Sequence, residues 1–255
     1  MSGTPSEHPR AKGGSARGRQ MSASRVRDLI SASIREGHLD PDEPLAEEHL
    51  MTLFAASRGS VRAALSQLRD SGFVERKPRV GTRATGIGFV LPLADIDTAT
   101  DYPDGAIGRG AAHVTITITE EREVPAFPLV RDRLGLVDPT VRMVENTFTA
   151  DGEVVGVRTA YYSTSYGFDP RDILGPLSMR EIIERYFREE TGAVHVQIGA
   201  DQADAHTARL LGVAEGTPLI VREMTYVTPT GSAIQIVFDR YRGDRVRLES
   251  TAVVD

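Results

Sequence analysis

The sequence of 255 residues contains no cysteine. Disulfide scaffolds, thiolate metal sites, iron–sulfur clusters and cysteine nucleophiles are therefore excluded. Long apolar runs are also missing, because none approaches the roughly 18–20 residues that cross a bilayer. We therefore expect no membrane-spanning segment. The basic N-terminus is not followed by an apolar stretch, so we expect no secretory signal and a cytoplasmic protein.

Lysine is scarce, since Lys12 and Lys77 are the only two and 28 of the 30 basic residues are arginine. A pyridoxal enzyme needs a Schiff-base lysine in its catalytic domain, and no lysine follows Lys77. That class of enzyme is excluded. The composition is otherwise typical of a globular protein, with 40% hydrophobic and 26% charged residues, and the length suits one large domain or two small ones.

The net charge of −6 averages two unlike parts of the chain. Residues 1–85 carry a net charge of +4, whereas residues 86–255 carry −10. Within the first part, residues 57–83 alone carry +5. A cationic stretch in an acidic protein indicates a surface that binds a polyanion, although a solvated charged face has the same composition.

The first 85 residues show the pattern of three helices followed by a hairpin. Residues 1–20 are rich in Gly, Ser and Pro and predict a disordered basic tail. Apolar spacing predicts helices at residues 21–37, 47–54 and, after the cap Ser57, up to Gly72. A β-hairpin follows, with its tip at Pro78-Arg79. This order predicts a winged helix-turn-helix domain over residues 21–85.

The third predicted helix and the hairpin carry the candidate DNA contacts. Arg58 and Arg62 lie one turn apart, where arginines of a helix in the major groove can contact guanine or phosphate. Small neighbours allow the backbone to approach DNA closely, and the basic hairpin suits phosphates or a minor groove. The candidate DNA-binding residues are Ser57, Arg58, Gly59, Ser60, Arg62, Arg76, Lys77, Arg79 and Gly81.

These residues also carry a family resemblance. Leu45-Ala-Glu-Glu-His-Leu50, Ser57-Arg-Gly-Ser-Val-Arg62-Ala-Ala-Leu65 and Val80-Gly-Thr82 resemble the DNA-binding domain of GntR-type transcription regulators. The resemblance implies a double-stranded DNA operator as a partner. One position departs from it, because Glu48 stands where the family often has a basic residue. A carboxylate there would repel phosphate or accept a hydrogen bond from cytosine N4.

The second part of the chain reads as a mixed α+β domain built on antiparallel hairpins, after a linker over residues 86–108 with room for one short strand. A capping box predicts a helix from Ser178 to about Thr191 that Gly192 ends, and Asp201 is predicted to cap a helix that ends near Gly212. Strands are predicted at residues 113–120, 141–150, 153–162, 194–198, 218–228, 232–241 and 245–254, with a helix at 127–134.

Residues 109–255 resemble the effector domain of HutC-type regulators, known as UTRA. The resemblance is carried by Asp151-Gly152, Leu210-Leu-Gly-Val-Ala-Glu-Gly-Thr-Pro218 and Tyr241-Arg-Gly-Asp-Arg245. It implies a fold like that of chorismate lyase, an antiparallel sheet with a ligand cavity, and a role in homodimerisation. The predicted fold class is thus α+β, a winged helix-turn-helix domain followed by a UTRA domain.

Positions that bind the effector in this family carry over one at a time. They are Asn146, Phe148, Arg158, Ser178, Arg180, Gln235 and Tyr241. The pattern of arginines differs from that of members that bind sugar phosphates, and Phe148 adds apolar surface. A helix N-terminus with Ser178 and Arg180 favours an anion. We therefore expect a small organic effector with a carboxylate or phosphate and an apolar part.

Three functions stay open at this point. The first is a transcription regulator, expected to be a dimeric repressor that a small effector releases from a two-fold operator. The second is an enzyme of the chorismate lyase fold joined to a DNA-binding module, and the third is an architectural DNA-binding protein without an effector. The sequence offers no catalytic triad, paired-carboxylate spacing, metal motif or cofactor motif, so we expect no catalytic residues, metal or cofactor.

Overall fold

The computed structural model describes residues 21–40, 43–77, 80–84, 89–94, 114–150, 152–167, 169–171 and 178–251. The chain divides into two compact units, Met1–Gly86 and Ile87–Asp255. We refer to them as unit 1 and unit 2.

Unit 1 contains three helices, α1 (Ala23–Arg35), α2 (Glu47–Leu53) and α3 (Arg58–Asp70). The apolar stripe of α1 forms a core, since Val26, Ile30 and Ile34 are fully buried. Ser57 caps α3, because its side chain accepts a hydrogen bond from the backbone N–H of Ser60. The stripe that faces inward from α3 consists of Val61, Ala64, Leu65 and Leu68.

A hairpin follows the helices, with β1 (Val74–Lys77) antiparallel to β2 (Gly81–Ala84). The N–H of Leu45 donates to the carbonyl of Thr82 at 2.7 Å, which ties the hairpin to the segment before α2. Three helices and a hairpin in this order are a winged helix-turn-helix. The predicted N-terminal fold is confirmed.

Unit 2 is built on one six-stranded antiparallel sheet in the order β4-β5-β6-β9-β8-β7. Its strands are β4 (Val114–Pro125), β5 (Thr140–Ala150), β6 (Glu153–Tyr162), β7 (Ala193–Gln202), β8 (Pro218–Val227) and β9 (Ala233–Arg242). The predicted α+β class with an antiparallel sheet is confirmed.

The two faces of the sheet are covered by different elements. On one face, α4 (Pro128–Leu134) packs on Val141, Met143 and Ile236, and α6 (Ala205–Leu211) packs near Val157 and Leu219. On the other face, α5 (Met179–Ile182) continues into a π turn (Ile183–Phe187). The side chains of the π turn pack on β5, β6, β8 and β9. We call this second face the pocket face.

A short parallel pair lies outside the main sheet. Strand β3 (Phe89–Pro92) runs beside β10 (Val246–Glu249), and the N–H of Leu93 donates to the carbonyl of Glu249 at 2.7 Å. Strand β3 lies within the stretch predicted as a linker and begins three residues after unit 1 ends at Gly86. The stretch predicted as a linker therefore contains a strand that belongs to unit 2.

The helix predicted from Ser178 to Thr191 is shorter than expected. The capping box is present, but the helix widens into the π turn and ends where Arg188 adopts a left-handed conformation with a φ of 57°. Gly192 does not end a helix. A Cβ on Gly192 would lie 2.5 Å from the backbone of Pro229, so glycine is needed there for close packing beside β7.

Asp201 does not cap α6, contrary to the prediction. Strand β7 continues through Gln202, and Asp201 pairs with Leu219 of β8 inside the ladder. The cap is Asp204, whose Oδ1 accepts a hydrogen bond from the N–H of Thr207 at 2.7 Å. The predicted last strand is also too long, since β10 spans four residues and residues 252–255 lie outside the described part.

Candidate functional site

The start of α3 presents the predicted DNA-contact residues on the surface of unit 1. Arg58, Gly59 and Arg62 are exposed. A Cβ on Gly59 would meet nothing closer than Ser57 Oγ at 3.9 Å, so the fold itself does not require glycine at this position. Ser60 has a structural bond, because its hydroxyl donates to the carbonyl of Met21 at 2.7 Å. The surface is small, polar and cationic, as contact with a phosphate backbone requires.

Two carboxylates of α2 contact the exposed arginines of α3. Arg62 Nε donates to both carboxylate oxygens of Glu47 at 2.9 and 3.0 Å. Arg58 Nη2 lies 3.5 Å from Glu48 Oε1. All four side chains are at least one-third exposed, so these pairs contribute little to stability and can exchange for phosphate or base contacts.

We expect Glu48→Gln to strengthen binding to random-sequence duplex DNA by about two- to fivefold, the effect of one exposed charge. The carboxylate repels phosphate and competes for Arg58, and the amide does neither. The measurement is fluorescence anisotropy of a labelled duplex at fixed salt. Glu36→Gln is the matched control, because Glu36 is an exposed carboxylate at the C-cap of α1. Equal affinities for both variants and the wild type would contradict a role for Glu48 at the interface.

The hairpin carries the remaining predicted contacts. Arg76 and Lys77 are exposed, and Lys77 Nζ lies 2.6 Å from Glu75 Oε1. Gly81 has a φ of 105°, which strongly favours glycine. Arg79 lies outside the described residues.

A polar groove lies between α3 and the hairpin, and it adds residues that the sequence did not single out. Arg62, Arg69 and Arg76 line it, together with Glu47, Leu65, Ser66, Gly81 and Thr82. Arg69 sits two turns beyond Arg62 on α3, a spacing that places both side chains on one helix face. That spacing was visible in the sequence and is the signal that could have identified Arg69.

In unit 2, five predicted effector residues share the pocket face. Asn146 and Phe148 of β5, Arg158 of β6, and Gln235 and Tyr241 of β9 alternate with residues that face the other helices. All five are buried. Ser178 and Arg180 lie at the start of α5, which covers the same face.

A narrow cavity of about 20 Å³ lies between the sheet and α5, and part of it is open to solvent. Arg158 and Gln235 are its polar lining residues with a predicted role. The rest of the lining is Val144, Ala160, Tyr162, Met179, Ile182 and Phe187. Oε1 of Gln235 is buried and has no hydrogen-bond partner among the described residues. A buried acceptor without a partner is costly, and a ligand with a hydrogen-bond donor would remove that cost.

A row of charged residues crosses the pocket face beside the cavity. Asn146 pairs with Arg158, Arg158 with Asp239, and Asp239 with Arg222 across adjacent strands. The side chains of Asp239 and Arg222 are 0% and 1% exposed, and that of Arg158 is 9% exposed. We call Arg158, Asp239 and Arg222 the Arg–Asp–Arg row. It holds one more positive than negative charge in a buried site.

Asp239 is bonded from both sides. Arg158 donates to Oδ1 from Nε at 2.7 Å and to Oδ2 from Nη2 at 3.2 Å. Arg222 donates to Oδ2 from Nε at 2.8 Å and from Nη2 at 2.6 Å. Complete burial raises the pKa of Asp239, but the charges of Arg158 and Arg222 and their hydrogen bonds outweigh burial. The pKa therefore lies below its usual value, and the carboxylate stays ionised.

Neither Arg222 nor Asp239 was predicted. Each is a charged residue at an inward position of a strand whose neighbours two residues away are apolar or aromatic, as in Ile220-Arg222-Met224. A charge in that position is buried on one face of a sheet and needs a partner. This alternation is the signal that could have identified them.

Ser178 is occupied by its own helix. Its Oγ accepts from the N–H of Glu181, and its hydroxyl and N–H both donate to the Glu181 carboxylate, at 2.9 and 2.7 Å. The hydrogen bond from the Ser178 backbone, followed by that from its side chain, lowers the pKa of Glu181. The carboxylate of Glu181 thus already occupies the N-terminus of α5.

We expect Gly156→Ala to destabilise unit 2 by about 1–2 kcal/mol, in the lower range for overpacking. A Cβ there would lie 2.5 Å from Cδ1 of Tyr241 and 3.3 Å from the ring of Phe148. Tyr241 is 1% exposed and cannot move aside without losing its bonds to the Arg–Asp–Arg row. The measurement is urea unfolding followed by tyrosine fluorescence. Gly199→Ala in β7 is the control, because nothing lies within 4 Å of its Cβ, and an equal loss in both variants would refute the clash.

Within the described ranges, no group of three or more His, Asp or Glu side chains is placed to hold a metal ion. No helix in the same ranges is long and apolar enough to span a bilayer.

A basic helix and hairpin in one unit, and a cavity under a short helix in the other, define a ligand-responsive DNA-binding protein. Comparison with known families agrees. The model for bacterial regulatory proteins of the gntR family matches residues 22–83, and the UTRA domain model matches residues 109–247. The chain therefore belongs to the gntR family of regulators that carry a UTRA domain, and the predicted family is confirmed.

The similarity to known relatives extends over both units. The HTH-type transcriptional regulator Rv0792c of Mycobacterium tuberculosis (strain ATCC 25618 / H37Rv) is 23% identical over 244 residues, 92% of this chain and 87% of the relative. The crystal structure of PhnF from Mycobacterium smegmatis has a TM-score of 0.61 at 23% identity, covering 90% of this chain and all of that one. The possible regulator YydK from Bacillus subtilis subsp. subtilis str. 168 has a TM-score of 0.54 at 17% identity, with 92% and 100% covered. At these identities the structural matches show the fold.

Proposed function

We propose that this regulator is a homodimeric repressor that binds a two-fold operator through α3 and the hairpin, and that a small anionic effector with an apolar part releases it. The observation that carries the proposal is the cavity in unit 2, which combines a guanidinium, an unpaired amide oxygen and apolar walls. The two-fold operator is inferred from the single α3 per chain, since two copies are needed to contact two half-sites. We propose that a protein with this partner acts in the cytoplasm.

The chemistry of the cavity supports an anion near Arg158. The Arg–Asp–Arg row carries a net positive charge, and a buried net charge favours a ligand of opposite sign. The walls formed by Val144, Ile182 and Phe187 suit an apolar group. A hydrogen-bond donor on the ligand would satisfy Oε1 of Gln235. Because Glu181 occupies the start of α5, we assign the anion to Arg158.

A binding role fits this cavity better than a catalytic one. Asp239 is held ionised by two arginines, which makes it a weak general base. Burial raises the pKa of Tyr162, so its phenol stays protonated. We therefore propose that the protein is not an enzyme.

The proposal is tested by a ligand screen on the intact protein bound to a fluorescent operator duplex recovered from its own genome. We expect release by carboxylates or phosphates that carry an apolar group, and loss of that release in Arg158→Met. Release by sugar phosphates alone would contradict the proposed effector chemistry. Turnover of chorismate by the wild type would contradict the proposal that it is not an enzyme.

A further inference from the structure

The Arg–Asp–Arg row reaches from the cavity to the strand that follows unit 1. At one end, Arg158 lines the cavity. At the other end, Arg222 Nη1 donates to the carbonyl of Pro92 at 2.7 Å and to that of Leu93 at 3.2 Å. Pro92 is the last residue of β3. The cavity and β3 are therefore joined through three buried side chains and their hydrogen bonds.

The two arginines share the oxygens of Asp239 unequally. Arg158 donates to both oxygens, from Nε to Oδ1 at 2.7 Å and from Nη2 to Oδ2 at 3.2 Å, whereas Arg222 donates from Nε and Nη2 to Oδ2 alone. The preferred geometry of an arginine on a carboxylate is bidentate, with one donor on each oxygen. If Arg158 leaves Asp239, Oδ1 loses its donor and the guanidinium of Arg222 can turn to engage both oxygens. That rotation moves Nη1 away from the carbonyls of Pro92 and Leu93.

We infer that the Arg–Asp–Arg row transmits occupancy of the cavity to β3: an anion that draws Arg158 away from Asp239 lets Arg222 release the β3 carbonyls. Tyr241 supports the row, because its hydroxyl accepts from Arg222 Nη2 at 2.7 Å and donates to Asp239 Oδ2 at 3.0 Å. Asp239 and Arg222 are positioning residues in this scheme. Strand β3 begins at Phe89, three residues after unit 1 ends at Gly86.

The row can regulate only if the cavity binds an effector, as proposed above, but its coupling can be measured without one. Hydrogen exchange of the Leu93 amide, which donates to Glu249, reports the attachment of β3 to β10. The experiment compares full-length wild type, Arg222→Met and Arg158→Met by mass spectrometry of peptides over residues 89–94. Arg222→Met removes the contact directly, whereas Arg158→Met acts only through Asp239.

We expect both variants to speed exchange at Leu93 by about tenfold. A tenfold change corresponds to a coupling free energy within the range for residues in one hydrogen-bond network. Exchange in the centre of β5 and β6 should speed up less than exchange at Leu93, which separates local release from global unfolding. Arg158→Lys, which keeps a donor for Asp239, should restore part of the protection and serves as the test if Arg158→Met fails to fold.

Arg133→Met is the matched control. Arg133 pairs with Glu223, the neighbour of Arg222 on β8, but from α4 on the opposite face of the sheet. It should leave exchange at Leu93 unchanged. Wild-type exchange in Arg158→Met beside fast exchange in Arg222→Met would overturn the transmission, and wild-type exchange in both would overturn the hold on β3. Specific DNA binding by the same wild-type sample decides the proposed function separately.

Discussion

Asp239→Asn is expected to lower the free energy of unfolding of unit 2 by about 3–5 kcal/mol, because it leaves two guanidinium groups without their buried carboxylate. Asn keeps the shape of the side chain but not its charge, so the loss measures the ion pairs and not the packing. Urea unfolding followed by tyrosine fluorescence is the measurement. All seven tyrosines follow residue 86 and the chain has no tryptophan, so the signal comes from unit 2 alone.

Asp244→Asn is the matched control, since Asp244 also pairs with an arginine, Arg242, at 2.7 Å but is 26% exposed. The loss in Asp244→Asn should be smaller, about 1 kcal/mol, because this pair is partly exposed to solvent. Equal losses in the two variants would mean that burial of the Arg–Asp–Arg row has no special effect on stability.

The effect of Asp239 should depend on pH in a defined direction. Its folded pKa is depressed, so its stabilisation is complete above the unfolded pKa of about 3.9 and is lost as the pH falls through the folded value. The gap between the wild type and Asp239→Asn should be constant from about pH 7 to about pH 5 and narrow below about pH 4. A gap that widens on acidification would contradict the depressed pKa of Asp239.

Arg58→Ala and Arg62→Ala are each expected to weaken binding to the specific DNA site by about 1–3 kcal/mol if the side chain contacts a base. Both side chains are exposed on α3 and bonded only weakly to α2, so their truncation should leave the fold intact. The measurement is an anisotropy titration on the operator and on random duplex at the same salt. A base contact lowers operator affinity more than random affinity, whereas a phosphate contact lowers both equally.

Arg27→Ala is the control for charge in the same unit. Arg27 lies on α1 and pairs with its neighbour Asp28 at 2.7 Å. The operator affinity of Arg27→Ala should stay within about twofold of the wild type, the effect of one surface charge outside α3 and the hairpin. Unchanged operator affinity in both Arg58→Ala and Arg62→Ala would remove α3 from the recognition role.

Local signals in the sequence predicted most of the elements. The stripe of α1, the cap Ser57 and the alternation of the long strands are short-range patterns that the structure reproduces. The two corrected helix ends have tertiary causes. The strand β7 continues past Asp201 because β8 pairs with it, and Gly192 is required by Pro229, which is 37 residues away in sequence. Neither cause is visible in a window of a few residues.

The residues of the candidate sites also divide into those that a local sequence pattern identified and those that it did not. Arg58, Arg62 and Arg158 carry charges in patterns that resemble a family, and the sequence singled them out. The Arg–Asp–Arg row depends on the register of three strands, which sets Arg158 beside Asp239 and Asp239 beside Arg222. Register follows from long-range pairing, and residues 158, 222 and 239 are too far apart in sequence for a local pattern to connect them.

The central claim is that α3 of unit 1 recognises a specific DNA sequence. Its most direct test incubates the intact protein with fragments of its own genome, including the region upstream of its coding sequence, at fixed salt with competitor DNA. We predict discrete, competitor-resistant complexes on a small set of fragments that share a two-fold site, and their loss in Arg62→Ala. Only uniform, competitor-sensitive binding across all fragments, at a salt concentration where nonspecific binding persists, would contradict the claim.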